Sequence, residues 1–196
     1  MWDWNQRVIT LRAKHIGEEV KMTAAVIVSM RVGAAPLRAF DAFTEEIGEW
    51  WKPNPLFALT PRGDGHLRFE PGEGGRLVAT LANGNEFEVG RITVWKPGER
   101  LALTWRQATF GPGQSTWLDV RFEAVGEETR VTVEHRGWDE IPQDHVARHG
   151  FELMLFQRRH AEHWRALLVS LDATLRTDRT ARSISPRSDE MGQKRT

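Results

Sequence analysis

The 196-residue chain contains no cysteine, which excludes disulfides, thiolate zinc sites and cysteine nucleophiles and fits a reducing compartment. It also lacks an excess of either charge. Lys and Arg number 27, as do Asp and Glu, so no global field draws the protein to nucleic acid or to an anionic membrane, and any partner is recognised locally. Long hydrophobic runs are missing too. The longest, Ala24 to Val28, falls far short of the ~20 residues a bilayer-crossing helix needs, and nothing reads as a signal peptide. The expected location is the cytoplasm. No GxSxG stretch is present, so a serine nucleophile elbow has no support either.

The length suits one domain with a real core. Residues 1–21 form an N-terminal extension, read as a short helix or an upstream start before Met22, without assigned function. The domain proper spans 22–176. The tail 177–196 has almost no apolar side chains to offset the entropy of ordering and is expected to be disordered.

Within the domain the periodicity is readable. "AAVIVSMRV" (24–32) is a strand-length apolar stretch, and "APLRAFDAFTEEIGEWW" (35–51) opens with Pro36 in a first-turn position. Leu37, Phe40, Phe43 and Ile47 mark one helical face, with Gly48 expected to break it into two short helices. Pro53, Pro55 and Pro61 make 52–64 a loop long enough to act as a lid. Six strand candidates follow, at 66–70, 75–82, 86–95, 100–107, 115–125 and 129–138, separated by hairpin connections such as "PGEGG", "NGN" and "KPGE". From residue 143 to about 175, Val146, Leu153, Phe156, Trp164, Leu168, Leu171 and Leu175 recur at roughly helical spacing. The order is one strand, two short helices, a meander and a long C-terminal helix. It predicts an α+β helix-grip fold: a curved antiparallel sheet of about seven strands wrapped around the helix, often with a cavity between them.

"EIGEWWKP", "FEPGEGGRL", "GRITVWKPGERLALTWR", "WLDVRFEAVGEETRVTVEHRGW" and "HAEHWRALLVSL" together resemble the AHSA1-like family (activator of heat-shock protein 90 ATPase homologue 1-like) of the SRPBCC, or START-like, superfamily, over about residues 24–172. The resemblance implies a hydrophobic-ligand-binding domain with diverse uses, among them lipid carriers, polyketide cyclases and cochaperones, and no shared catalytic set. In the eukaryotic activators the likeness is to a C-terminal domain, whereas chaperone stimulation depends on a separate N-terminal domain for which this chain leaves no room. A chaperone partner is thus weakly supported, and a homodimer is compatible with the sequence.

The candidate site rests on aromatics and histidines. Strand alternation places His135 with Val131 and Val133 on the inner face and Glu134 toward solvent. His135 is a satisfied interior histidine, a polar contact to ligand or, last of the three, a metal ligand. Trp50 and Trp51 precede the proline-rich loop, Trp105 shares the Leu101 and Leu103 face, and Trp164 lies on the helix stripe. With Phe69 and Phe122 as further wall and His160 as a second polar anchor, these residues describe either a filled core or a ligand-sized cavity. His145 and His149, four apart and taken as the start of the helix, share one face. Without a third ligand they are read as solvated, and neither metal nor cofactor is expected. "GEGG" (72–75) precedes a strand, so it reads as a turn and not as a phosphate cradle, and Glu86 and Glu88 sit on a wet face. Three readings follow: non-catalytic binding of a small hydrophobic or amphipathic molecule, a cyclase or hydrolase with a cavity histidine as general base, and an interaction module using Trp95 or Trp117 on the wet face.

Overall fold

The computed structural model describes residues 9–14 and 21–184, with side chains described over 24–177. Eight antiparallel strands form one sheet: β1 (Ile9–Lys14), β2 (Lys21–Val32), β3 (His66–Phe69), β4 (Arg76–Thr80), β5 (Glu86–Lys96), β6 (Arg100–Trp105), β7 (Thr116–Val125) and β8 (Glu128–Arg136). Their order is β1-β2-β8-β7-β6-β5-β4-β3. The meander from β3 to β8 therefore runs through sequential hairpins as the turn chemistry predicts, and β2 closes against β8. The eighth strand comes from the N-terminal extension, where Ile9 to Lys14 pair with Val26 to Lys21; over those residues the extension is a strand and not a helix.

The helices are α1 (Pro36–Glu45), α2 (Ile47–Trp50) and α3 (Leu153–Ile184). Pro36 does open α1, where its missing N–H has no intrahelical partner to lose. Phe40, Phe43 and Ile47 are buried, but Leu37 is 55% exposed, so the buried face turns through Ala39 and Ala42 instead. The break falls at Glu46, with φ −104° and ψ 24°, while Gly48 lies inside α2. A glycine two residues downstream of the kink was a misleading breaker signal.

Two positions bend the strand pattern. A Cβ at Gly90 would collide with the Thr104 carbonyl oxygen, so only glycine lets β5 pass β6 that closely. A register shift between Ile92 and Val94 then opposes Trp95 to Leu101. This bulge turns Trp95 inward, where its ring meets Phe40 at 5.1 Å and Phe69 at 6.4 Å. Trp95, half-buried against the core, therefore does not contribute to a wet-face patch, and Trp117 is the more exposed of that pair.

The inner sheet face carries Leu101, Leu103, Leu118, Val120, Val131 and Val133, all buried, against Ala161, Trp164, Leu168, Leu171 and Leu175 of α3. A buried side chain of this size contributes ~1.5–3 kcal/mol relative to an exposed one, and this seam holds helix to sheet. The helix begins ten residues later than its apolar spacing predicts. Residues 137–152 form an irregular connection with 3-10 turns at Trp138–Glu140 and Val146–Arg148. Left-handed backbone at His149 and Gly150 stops any continuous helix there, and Val146, counted in the stripe, is 61% exposed. At its other end α3 continues to Ile184, so 177–184 of the polar tail are helical.

Arg148 holds the connection together. It is 3% exposed and donates to the carbonyls of Trp138, Ile141 and Phe151 at 2.9–3.0 Å, with its guanidinium 5.0 Å from the Phe156 ring centroid. Burial lowers its pKa from the usual guanidinium range. The outer sheet face is drier than its charges imply. Glu134, expected in solvent, is 3% exposed and pairs with Arg121 at 3.2 Å, while Asp119 lies between Arg100 and Arg121. The arginine stems cover the carboxylates they bind.

Candidate functional site

His135 lies on β8 facing inward, as alternation predicts, and is fully satisfied. Trp164 Nε1 donates to its Nδ1 at 3.3 Å. That contact makes Nδ1 the acceptor, so Nε2 carries the proton and donates to Thr116 Oγ1 at 2.9 Å. The Thr116 hydroxyl passes its own hydrogen to the Trp105 carbonyl at 3.2 Å. Burial, with a smaller effect from His163, pushes the His135 pKa down to about 3, so the ring is a neutral strut between sheet and helix.

His160 and His163 stand one turn apart on α3, facing the same interior. His160 is 3% exposed, its ring centroid 4.7 Å from that of His135, and its Nδ1 is buried without a hydrogen-bond partner. Burial, then proximity to His135 and His163, drives its pKa well below the ordinary value. Burial brings His163 down to about 4. Three neutral imidazoles thus cluster together, His160 and His163 on the cavity wall and His135 behind them. Trp138, from the irregular connection, contributes a second orphan: its Nε1 is also buried and unpartnered, and its ring sits edge-on to His160 at 5.2 Å.

Around them the aromatics close in. Trp51 is 5.9 Å from Trp105 and 6.1 Å from Trp164, and Trp105 is 6.2 Å from Trp164. Phe57 stacks nearly parallel on both His160 (4.7 Å, 18°) and His163 (5.1 Å, 15°). Between these rings and Gln107 lies a cavity of only about 10 Å³, room for about one water molecule. In this conformation the core is filled, and the open, ligand-sized cavity is not formed.

Of the residues singled out in the sequence, Trp51, Trp105, His160 and Trp164 line this cavity, and His135 packs directly behind it. Trp50 stands one layer back, fully buried with its Nε1 bonded to the Ala42 carbonyl. Phe69 and Phe122 belong to the other half of the core, beside Trp95 and beside Phe40 and Phe43. Sequence reasoning missed Phe57, Gln107, Trp138 and His163. His163 had a usable signal, its i, i+3 spacing from His160; Phe57 sits in the proline-punctuated loop, and Gln107 and Trp138, counted in the strand candidates, lie just past the ends of β6 and β8.

The 52–64 segment is closed and pinned. Asp64, 3% exposed, accepts from Trp51 Nε1 at 2.7 Å and from the Leu59 amide at 2.8 Å. The Ala108 amide donates to the Leu59 carbonyl at 2.8 Å, and His149 Nε2 donates to the Leu56 carbonyl at 2.8 Å. His149 is therefore a loop tie. His145 caps the Val146–Arg148 turn by accepting from the Ala147 amide, so the two histidines do not share a helix face. Among the described residues no group of three His, Cys, Asp or Glu is placed to hold a metal ion. No described helix is long and apolar enough to cross a membrane.

The same architecture recurs in solved structures. A protein of Mesorhizobium loti shares 20% identity and superposes with a TM-score of 0.52, over 80% of this chain and 98% of its own. An HSP90 activator from Plasmodium falciparum matches at 18% identity and TM-score 0.52, over 77% of this chain and 95% of its own. The self-sacrificing resistance protein CalC of Micromonospora echinospora matches at 26% identity and TM-score 0.53, covering 79% of this chain and 95% of its own. No curated protein sequence matches the chain. The family model described as activator of Hsp90 ATPase homolog 1-like protein matches residues 34–176, from α1 through the apolar stripe of α3, and thus covers the elements that build the aromatic–histidine wall. The chain belongs to that family.

Proposed function

We propose that this protein binds a small apolar or amphipathic molecule between α3, the inner sheet face and the 52–64 segment, without catalysing its conversion. One observation carries the reading. His160 Nδ1 and Trp138 Nε1 are both buried without partners, and both residues line the same cavity. An unmet buried polar group costs ~1–3 kcal/mol, a cost that a ligand bearing an acceptor for the indole N–H removes. The small cavity means that binding requires the 52–64 segment to move. A cytoplasmic setting accompanies this reading and rests on composition alone.

A second reading uses the same atom. A histidine held neutral near pH 7 has a lone pair ready to accept a proton, so His160 would serve as general base for a bound carbonyl compound. The binding reading is favoured because, among the described residues, the ionisable groups acting on His160 are the neighbouring imidazoles of His135 and His163, and Asp64 is already committed to Trp51 and Leu59. Likeness to the Plasmodium HSP90 activator, at 18% identity, concerns architecture, and co-chaperone activity is not carried over on it.

Native mass spectrometry of protein purified from its own host, followed by thermal-shift screening of fatty acids, sterol-like compounds and aromatic polyketides, tests the proposal. A co-purifying molecule, or a ligand that raises the melting temperature with concentration as mass action requires, is the expected result. Turnover of that ligand, abolished in His160→Gln, would establish the catalytic reading instead.

A further inference from the structure

We infer that Phe57 occupies the ring subsite of this pocket as an intramolecular plug, and that the cognate ligand is a flat aromatic molecule carrying a hydrogen-bond acceptor that displaces it. The inference rests on the binding reading above and specifies its ligand class and its gate.

Three observations converge. The first is the geometry of the stack. Phe57 lies within 18° of parallel to the His160 ring and within 15° of the His163 ring, whereas most ring pairs around it meet at steep angles, such as the 82° between Trp51 and Trp164 and the 89° between Trp138 and His160. The two imidazoles thus present flat faces to one planar group, and a segment outside the sheet and α3 supplies it.

The second is how Phe57 is delivered. It ends a three-residue 3-10 turn, Pro55–Phe57, started by Asn54 accepting from the Leu56 amide. A short turn in a proline-punctuated loop is the kind of element that opens at modest free-energy cost. Its ties are few and sit on either side of the ring: the His149 contact to the Leu56 carbonyl, and the Asp64 and Ala108 contacts at Leu59. Swinging Phe57 out adds the space of its ring to the existing void and leaves the aromatic walls in place.

The third is what Phe57 cannot do. A hydrocarbon ring satisfies neither His160 Nδ1 nor Trp138 Nε1, both of which stay unpartnered beside it. A ring with a hydroxyl or carbonyl oxygen repeats the stack and also offers the acceptor that Trp138 lacks; the His160 nitrogen then donates or accepts according to its tautomer. The plug is a partial match for the site, and the ligand a fuller one. Because the plug competes, apparent affinity equals intrinsic affinity reduced by the fraction of open molecules.

The test is calorimetric titration of the full chain with 2-naphthol, naphthalene and 1-decanol, for wild type, Phe57→Ala and His160→Phe, with hydrogen exchange followed over residues 54–64. We expect 2-naphthol to bind wild type at least tenfold more tightly than 1-decanol does and to accelerate exchange over 54–64. Phe57→Ala should bind it at least tenfold more tightly than wild type, and His160→Phe should lose the preference for 2-naphthol over naphthalene. If Phe57→Ala fails to fold, Phe57→Leu, which keeps most of the volume without the flat face, replaces it with the same expected direction. Equal affinity of wild type and the Phe57 variant for 2-naphthol, or binding with unchanged exchange over 54–64, overturns the plug. An aliphatic passenger found in native mass spectra, together with no binding of either ring compound, overturns the aromatic ligand class but leaves the broader binding reading standing. Failure of every probe, with no passenger, overturns both.

Discussion

The indole N–H of Trp164 on α3 donates to Nδ1 of His135 on β8 at 3.3 Å, so a single hydrogen bond links the long helix to the sheet and fixes the tautomer of a buried histidine. Both side chains are 1% exposed. Trp164→Ala removes a large buried ring and should destabilise the protein by ~3–5 kcal/mol, read from denaturant midpoints. Trp164→Phe retains most of the packing but strands the His135 nitrogen, for an expected loss of ~1–3 kcal/mol. A change near zero in the alanine variant would contradict the burial of this seam.

Acid should unfold the protein in a definite window. His135, His160 and His163 all have folded-state pKa values below the ordinary 6.5. Above pH 6.5 they are neutral in both states, and their neutral burial carries no proton penalty. As pH falls below 6.5 the unfolded chain takes up protons that the folded chain refuses, so stability is lost from there down to the folded values, about 4 for His163 and about 3 for His135. The steepest loss expected is about 1.4 kcal/mol per histidine per pH unit. Denaturant melts between pH 7.5 and 5 should show a falling midpoint, and the triple variant His135→Gln, His160→Gln, His163→Gln, if it folds, should have a flatter profile.

Asp64 latches the segment that carries Phe57. Asp64→Ala leaves the Trp51 indole N–H and the Leu59 amide unpaired, at ~1–3 kcal/mol for each group that water cannot reach. Hydrogen exchange should quicken over 54–64 more than in the sheet. Uniform acceleration across the whole chain would mean that the latch acts on global stability alone.

Arg148 is a cation held by carbonyls instead of a carboxylate. Arg148→Met keeps the length of the stem and removes all three bonds, and the expected cost is ~2–3 kcal/mol. The loss should be felt at Trp138, whose carbonyl the guanidinium holds, so this variant should also weaken whatever ligand the pocket accepts, as titration of the same ligand would show.

The sheet was legible in the sequence because each strand is bounded by turn residues and alternates cleanly, as Leu118, Val120 and Phe122 do. His135 was placed correctly by the same alternation. Errors arose where one residue changes the count or a side chain bridges two environments. The bulge beside Thr93 reverses the phase of β5 and takes Trp95 inside. Val146 matches the helical period of α3 by coincidence, because the left-handed backbone at His149 and Gly150 separates it from the helix. Glu134 is on the outer face as read, yet buried, because Arg121 reaches over it. Half of the cavity wall comes from the sheet and α3, whose patterns are visible; Phe57 comes from a proline-punctuated loop without a periodic signal, and Trp138, counted in the last strand candidate, leaves the strand because left-handed Gly137 turns the chain into a 3-10 turn.

The chain has nine tryptophans and no tyrosine, and Trp51, Trp105 and Trp164 lie within 5.9–6.2 Å of one another. Indoles that close exchange excitation energy, and with no phenol to contribute, near-ultraviolet emission reports on tryptophan alone. Light absorbed at any member of the cluster is shared with the ring that forms the pocket wall. The protein thereby carries its own optical probe at the place where a guest molecule would arrive, and neither label nor cofactor is needed to watch that event in real time.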